Sequence, residues 1–345
     1  MTTTMPVSAS QDRGSEFAAL LRQICSAGLL DRRRGNYTLR IVLTLGFFAA
    51  TWWAFAFLGD TWLQVVVAVA MGFAFTQVAF LGHDGGHQQV ARTRRINDLL
   101  GLITGNLLIG LSYGWWITEH GKHHSNPNHE GDDPDIGDGV LAFTDIQARK
   151  RLTPVARFIA ANQAWLFFPL LTLEGLNLHV QSASWLRRAT TRRYRRTELF
   201  FLAVHAVVLV TALLLVLSPL KALAFLAIQQ AVWGFYMGCS FAPNHKGMPI
   251  IPPGTRMDYL RKQVLTTRNV RGGLVTDFLL GGLNYQVEHH LFPSMPRANL
   301  RKAQPLIRTY CQKLGVKYTE VGLLASYAAA LRYLHAIGKP LRETA

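Results

Sequence analysis

Four uncharged apolar runs dictate what this chain can fold into. Ile41 to Leu58 and Trp62 to Leu81 are each long enough to cross a hydrocarbon core of about 30 Å at about 1.5 Å per helical residue, and so are Phe200 to Leu217 and Ala222 to Ala242. Gly59, Asp60 and Thr61 join the first pair, and Ser218, Pro219, Leu220 and Lys221 join the second, so each pair reads as a helical hairpin. Half of the 345 residues are hydrophobic and 16% are charged, and the mean hydropathy is +0.15. That is too apolar for an ordinary soluble domain. The expected architecture is an all-α integral membrane fold with four transmembrane helices at about 41–58, 62–81, 200–217 and 222–242.

Charge orients the spans. Lys and Arg outnumber Asp and Glu by 36 to 20, yet the two connectors hold a single basic residue, Lys221. The other basic clusters, Arg32 to Arg34, Arg92 to Arg95, Lys150 with Arg151, Arg187 to Arg196 and the segment from Lys246, all lie on the opposite side. The positive-inside rule therefore places both termini and the long segments in the cytoplasm. Nucleic-acid binding is disfavoured, because a long apolar run separates each basic cluster from the next and no binding motif accompanies them. Cys25, Cys239 and Cys311 are scattered, which suggests neither a disulfide framework nor a cysteine metal site.

Residues 1–40 read as a cytosolic tail whose order of polar, weakly amphipathic and basic stretches is opposite to that of a secretory signal. Residues 41–314 read as the membrane domain and 315–345 as a second tail. Two further apolar segments are expected to be half-buried or interfacial. Leu99 to Ile117 is interrupted by Gly101, Gly105, Gly110, Ser112 and Gly114, and Val155 to Leu173 carries Arg157, Asn162 and Gln163.

The histidines carry the chemistry. HDGGH places His83 and His87 at i and i+4, HGKHH offers His120, His123 and His124, QVEHH offers His289 and His290, and His245 follows the fourth run in FAPNHKG. All four patches fall on the face that the charges mark as cytosolic. One HxxxH is commonplace on a helix, but this coincidence is not. His129, His179, His205 and His335 read as loop, packing or interfacial residues. Eight clustered imidazoles exceed the roughly four ligands of one tetrahedral zinc, so two metals are the economical reading. Imidazole alone does not choose among zinc, copper, iron and nickel. Gln286 can supply a carbonyl oxygen or a supporting hydrogen bond, while Asp84, Glu119 and Glu288 are suited to accept a far ring N–H and fix the tautomers. The fold expectation is thereby completed by a cytosolic helical cap carrying a dinuclear metal site.

HDGGH, HGKHH and QVEHH in this order, with two hairpins, resemble the integral-membrane fatty acid desaturases, and the resemblance runs from about Ile41 to Leu314. It implies a di-iron centre with dioxygen as co-substrate, no bound heme or flavin, and insertion of a double bond into a fatty acyl chain carried by CoA or a lipid. By position it implies His83, His87, His120, His123, His124, His289 and His290 as iron ligands, His245 as one more, Gln286 as a ligand or its support, and Asp84 and Glu288 as supporting carboxylates. QVEHH is similar to the box of front-end and sphingolipid desaturases. No HPGG heme motif occurs in the sequence, so electrons are expected from a separate ferredoxin or cytochrome b5-type donor. The Arg187 to Arg196 run and the basic tail can dock such a donor or an acyl-CoA phosphate, or meet an anionic leaflet.

Trp115, Trp116, Phe241 and Tyr285 adjoin the boxes and are candidates for lining an acyl tunnel. A hydroxylase or ketolase would use a similar cluster. A metal transporter would place its histidines inside the spans, and a membrane cytochrome would need only a pair of axial ligands per heme.

Overall fold

A computed structural model describes residues 13–188 and 193–343. Arg192 and its neighbours at 189–191, part of the basic run considered for docking, lie outside the described residues. In chain order the helices begin with α1 (Arg13–Ser26), α2 (Arg34–Leu58), α3 (Gln64–Gly86) and α4 (Arg94–Gly101), followed by a π-helical segment (Leu102–Leu108) and α5 (Tyr113–Ser125). Then come α6 (Asp145–Arg149), α7 (Pro154–Leu171), α8 (Glu174–Arg188), α9 (Arg195–Val216), α10 (Pro219–His245) and α11 (Tyr259–Leu265). The chain closes with β1 (Asn269–Val270), α12 (Leu274–Leu279), α13 (Gln286–Leu291), α14 (Arg297–Lys313), β2 (Glu320–Val321) and α15 (Leu323–Glu343).

Helices α2, α3, α9 and α10 are long and apolar enough to cross a membrane, in the two expected hairpins. In their most apolar windows only 11% of α2 and 6% of α9 is buried, against 67% of α3. The first two therefore present their sides to lipid, and α3 is the inner helix. Both connectors meet at one end of the bundle: the Asp60 carboxylate accepts from the Ser218 N–H at 2.8 Å and from Lys221 Nζ at 2.9 Å. Gly72 lets α3 and α10 touch, since a Cβ there would stand 2.8 Å from the Gln229 carbonyl oxygen.

The spans run further than hydropathy marks. Helix α3 continues to Gly86 and α10 to His245, so His83 and His245 ride on rigid span ends. Hydropathy misses these last turns because they are polar, although their helical hydrogen bonds continue.

The glycine-rich segment does not pass straight through: α4 with its π-helical extension meets α5 at a bend of 116°. A buried carboxyl group fixes the corner. Glu198 of α9 accepts hydrogen bonds from the Ser112 hydroxyl and from the Gly114 N–H at 3.1 Å, and Ser112 caps α5. The bend returns α5 to the end of α3 that carries His83.

Neither expected tail is a free one. Leu20 and Ile24 of α1 are buried in a core with Leu260, Leu291 and Leu300. At the other end β2 pairs in parallel with β1, and Gln163 of α7 donates to the Leu334 carbonyl of α15 at 3.1 Å. The boundaries at 40 and 314 thus do not separate tails from a domain. Amphipathic faces in α1 and α15 find their partners on distant elements, a pairing that single-segment hydropathy does not register.

Candidate metal centre

Four elements deliver the histidines to one place. Helix α3 supplies His83, and His87 caps its C-terminus. Helix α5 supplies His120, His123 and His124, α10 ends on His245, and α13 supplies Gln286, His289 and His290. Spacings of three and four residues put the side chains of each helix on one face. Every histidine assigned to metal binding from the sequence arrives here.

They form two groups. Ring nitrogens of His83, His87, His120 and His289 lie within 4.8 Å of one another, as do those of His123, His245 and His290. His124 stands between the groups: its Nε2 is 3.1 Å from His120 Nε2, and its ring stacks on His290 at 4.2 Å between centroids and 15° between planes. Gln286 Nε2 is 3.1 Å from His245 Nε2. Its Oε1 accepts from Asn244 Nδ2 at 3.4 Å, and a half-turn of the amide would bring that oxygen to His245 instead.

The donor set fits metal ions. His83 Nε2, His290 Nε2 and both ring nitrogens of His289 are buried and find no hydrogen-bond partner within the protein, an expensive state for polar atoms unless something binds them. Other contacts bring two ring nitrogens face to face, as for His87 and His120 at 2.9 Å. Burial, reinforced by neighbouring imidazoles, pushes His120, His124, His289 and His290 well below the usual imidazole value. Neutral rings keep the lone pairs that ligation needs. His123 differs: burial opposes its charge, but Asp135 and Asp133 outweigh it and shift the group upward.

Supporting contacts follow a different pattern from the one expected. His123 Nδ1 is 3.0 Å from Asp133 Oδ1, and Asp133 is itself fixed by the Asn128 and Asp135 N–H groups at 2.7 and 2.9 Å. His290 Nδ1 lies 2.9 Å from Gln263 Oε1. Asp84 stands 3.5 Å from His83 Nδ1 but binds Arg297 more closely, at 2.7 Å.

Glu288 does not touch an imidazole. Its carboxylate accepts from Asn269 Nδ2 and the Tyr318 hydroxyl, each at 2.6 Å, because on α13 it projects from the side opposite Gln286, His289 and His290. Glu119 pairs at the surface with Lys122 at 2.9 Å. The acid-rich NHEGDDPD stretch just after HGKHH was a readable signal for Asp133. Nothing in the sequence marks Gln263 or Arg297.

Trp116 stacks on His120 at 4.5 Å and Phe241 lies 6.5 Å from His83, so both border the cluster. Trp115 is instead packed in the core between the spans, and the Tyr285 hydroxyl turns to Asp277. His179 and His205 bond the Gly110 and Leu107 carbonyls at 3.0 Å, and His129 pairs with Asp132.

The fatty acid desaturase family model matches residues 60–322, a range that includes every residue of the cluster. The chain belongs to that family. A Delta(8)-fatty-acid desaturase of Euglena gracilis is 30% identical over 344 residues, covering 95% of this chain and 80% of the relative. The Delta(8)-fatty-acid desaturase of Helianthus annuus is 26% identical over 348 residues, covering 96% and 75%. A Delta 8-(E)-sphingolipid desaturase of Kluyveromyces lactis is 28% identical over 345 residues, covering 94% of this chain and 59% of its own length. This desaturase is accordingly an oxidoreductase with an all-α membrane fold, its histidine clusters set at one end of four apolar helices.

Proposed function

We propose that this desaturase inserts a cis double bond into a lipid- or CoA-borne fatty acyl chain at a di-iron centre, reducing dioxygen to water. Two of the four electrons come from the substrate C–H bonds and two from a ferredoxin or cytochrome b5-type donor. The observation that carries the reading is the pair of histidine groups joined through His124. Bound iron would supply an oxidant for unactivated methylene C–H bonds, a task beyond side-chain acids and bases.

The chain's own residues do the rest. His83, His87, His120 and His289 would hold one ion, and His123, His245 and His290 the other, with His124 within reach of both and Gln286 beside His245. The Asp133 carboxylate holds the proton on His123 Nδ1 and aims Nε2 inward, and Gln263 does the same for His290. Trp116 and Phe241 keep the first group dry. The charge distribution supports a cytoplasmic active site with both termini on the same side. Front-end regiochemistry is favoured by Gln286 in place of a first histidine in the third box and by the Delta(8) relatives.

Gas chromatography with mass spectrometry of fatty acids and sphingoid bases from cells expressing the chain, beside a His123→Ala control, tests the reading. A new unsaturated species only with the unmutated chain is expected. An unchanged lipid profile from an inserted, iron-loaded protein would count against desaturation.

A further inference from the structure

Helix α12 is inside out for a helix in water. Leu274, Val275 and Phe278 point outward with 86%, 70% and 53% of their surface exposed. Its charged side chain turns away from that face instead: Asp277, half-buried, accepts from Asn284 Nδ2 at 2.9 Å and from the Gly273 N–H at 3.2 Å, meets the Tyr285 hydroxyl at 3.3 Å and lies 3.9 Å from the Arg301 guanidinium. A short helix at a water surface would show the reverse arrangement.

Its neighbours say what covers the apolar face. The Phe278 ring lies 6.0 Å from Phe73 of α3, Phe73 stacks on Tyr236 of α10 at 5.0 Å, and the Tyr236 hydroxyl donates to the Leu279 carbonyl at 2.7 Å. Tyr236 lies 17 residues past Pro219, where α10 leaves the connector at the far end of the bundle. At about 1.5 Å per residue this is roughly 26 Å, still inside a hydrocarbon core of about 30 Å. Arg271 and Arg301, both exposed, flank the helix where lipid phosphates would lie.

We propose that α12 is a monotopic anchor, inserted in the leaflet on the metal-site side, with lipid acyl tails covering Leu274, Val275 and Phe278. Because only the short turn from Leu280 to Tyr285 separates α12 from α13, the anchor pins the third histidine box at the bilayer surface. Lipid contact at α12 does not depend on the chemistry at the metal centre.

The test is nitroxide accessibility in phospholipid nanodiscs. Val275→Cys is spin-labelled in a chain carrying Cys25→Ser, with Val208→Cys on the lipid face of α9 and Lys313→Cys in water as references. The label at 275 is expected to collide several-fold more with oxygen than with a nickel chelate, as at 208. Nickel access equal to that at 313, or spin–spin broadening from a second copy, would overturn the anchor. Should the labelled variant not fold, diazirine-lipid photolabelling of the unmodified chain decides: adducts within 274–279 support the anchor, and their absence when α9 is labelled refutes it.

Discussion

His123 Nε2 lies 3.3 Å from His245 Nε2, joining the second histidine box to the last residue of the fourth span. A metal group that draws on α5, α10 and α13 should not survive the loss of its only residue from α10. His245→Ala is expected to insert normally, to retain about one metal ion where the parent retains two, and to make no product above background. Metal analysis of the purified variant beside lipid analysis of the producing cells checks both, and full metal content would remove His245 from the ligand set.

Asp133 is expected to matter through His123 rather than by touching a metal. Asp133→Ala frees the His123 ring to rotate and to change tautomer, and losses of this kind typically cost about 10–100-fold in metal affinity or activity. Competition with a chelator of known affinity measures the first effect and initial rates the second. A variant with parental affinity and rate would show that the carboxylate only shapes the loop.

Glu288, though inside the third box, should behave differently. Removing it in Glu288→Ala leaves Asn269 and Tyr318 without their buried acceptor, a penalty of roughly 1–3 kcal/mol. The expected phenotype is a lower melting temperature in detergent with unchanged metal content in the protein that remains folded. Metal loss without loss of thermal stability would place Glu288 at the ions instead.

Gly72→Ala probes the bundle itself. The added methyl would meet the Gln229 carbonyl of α10, a backbone atom that cannot swing aside, and overpacking of this type costs about 1–3 kcal/mol. Thermal unfolding in detergent should report a clear drop, while Gly46→Ala, where nothing lies within 4 Å, should be neutral or slightly stabilising. Equal behaviour of the two variants would argue that α3 and α10 are not in close contact.

Much of this was legible because it is local. An apolar run reports its own capacity to span a membrane, and histidines three or four residues apart report a shared helical face, so the four spans and the cluster could be read from the sequence. What resisted reading depends on contacts between distant segments. Glu288 and His289 are neighbours in sequence yet face opposite ways, a difference fixed by the six-residue helix from Gln286 to Leu291. Gln263 serves His290 only because α11 packs on α13. Glu198, in the first turn of an apolar helix, looks like an interfacial charge but folds the corner between the π-helical segment and α5. The packing of α15 on α7 and α10 could not be inferred from its amphipathic pattern alone, which names a buried face but not its partner.

Counting the iron ions held by this histidine cluster tests most directly whether it is a di-iron centre. The chain would be purified from iron-supplemented cells, its metals quantified by plasma mass spectrometry against amino-acid analysis, and its iron examined by Mössbauer spectroscopy. Two irons per chain in a nitrogen-rich environment are expected, falling together with product in His124→Ala. A single ion per chain, or stoichiometric zinc in an active preparation, would contradict a di-iron centre.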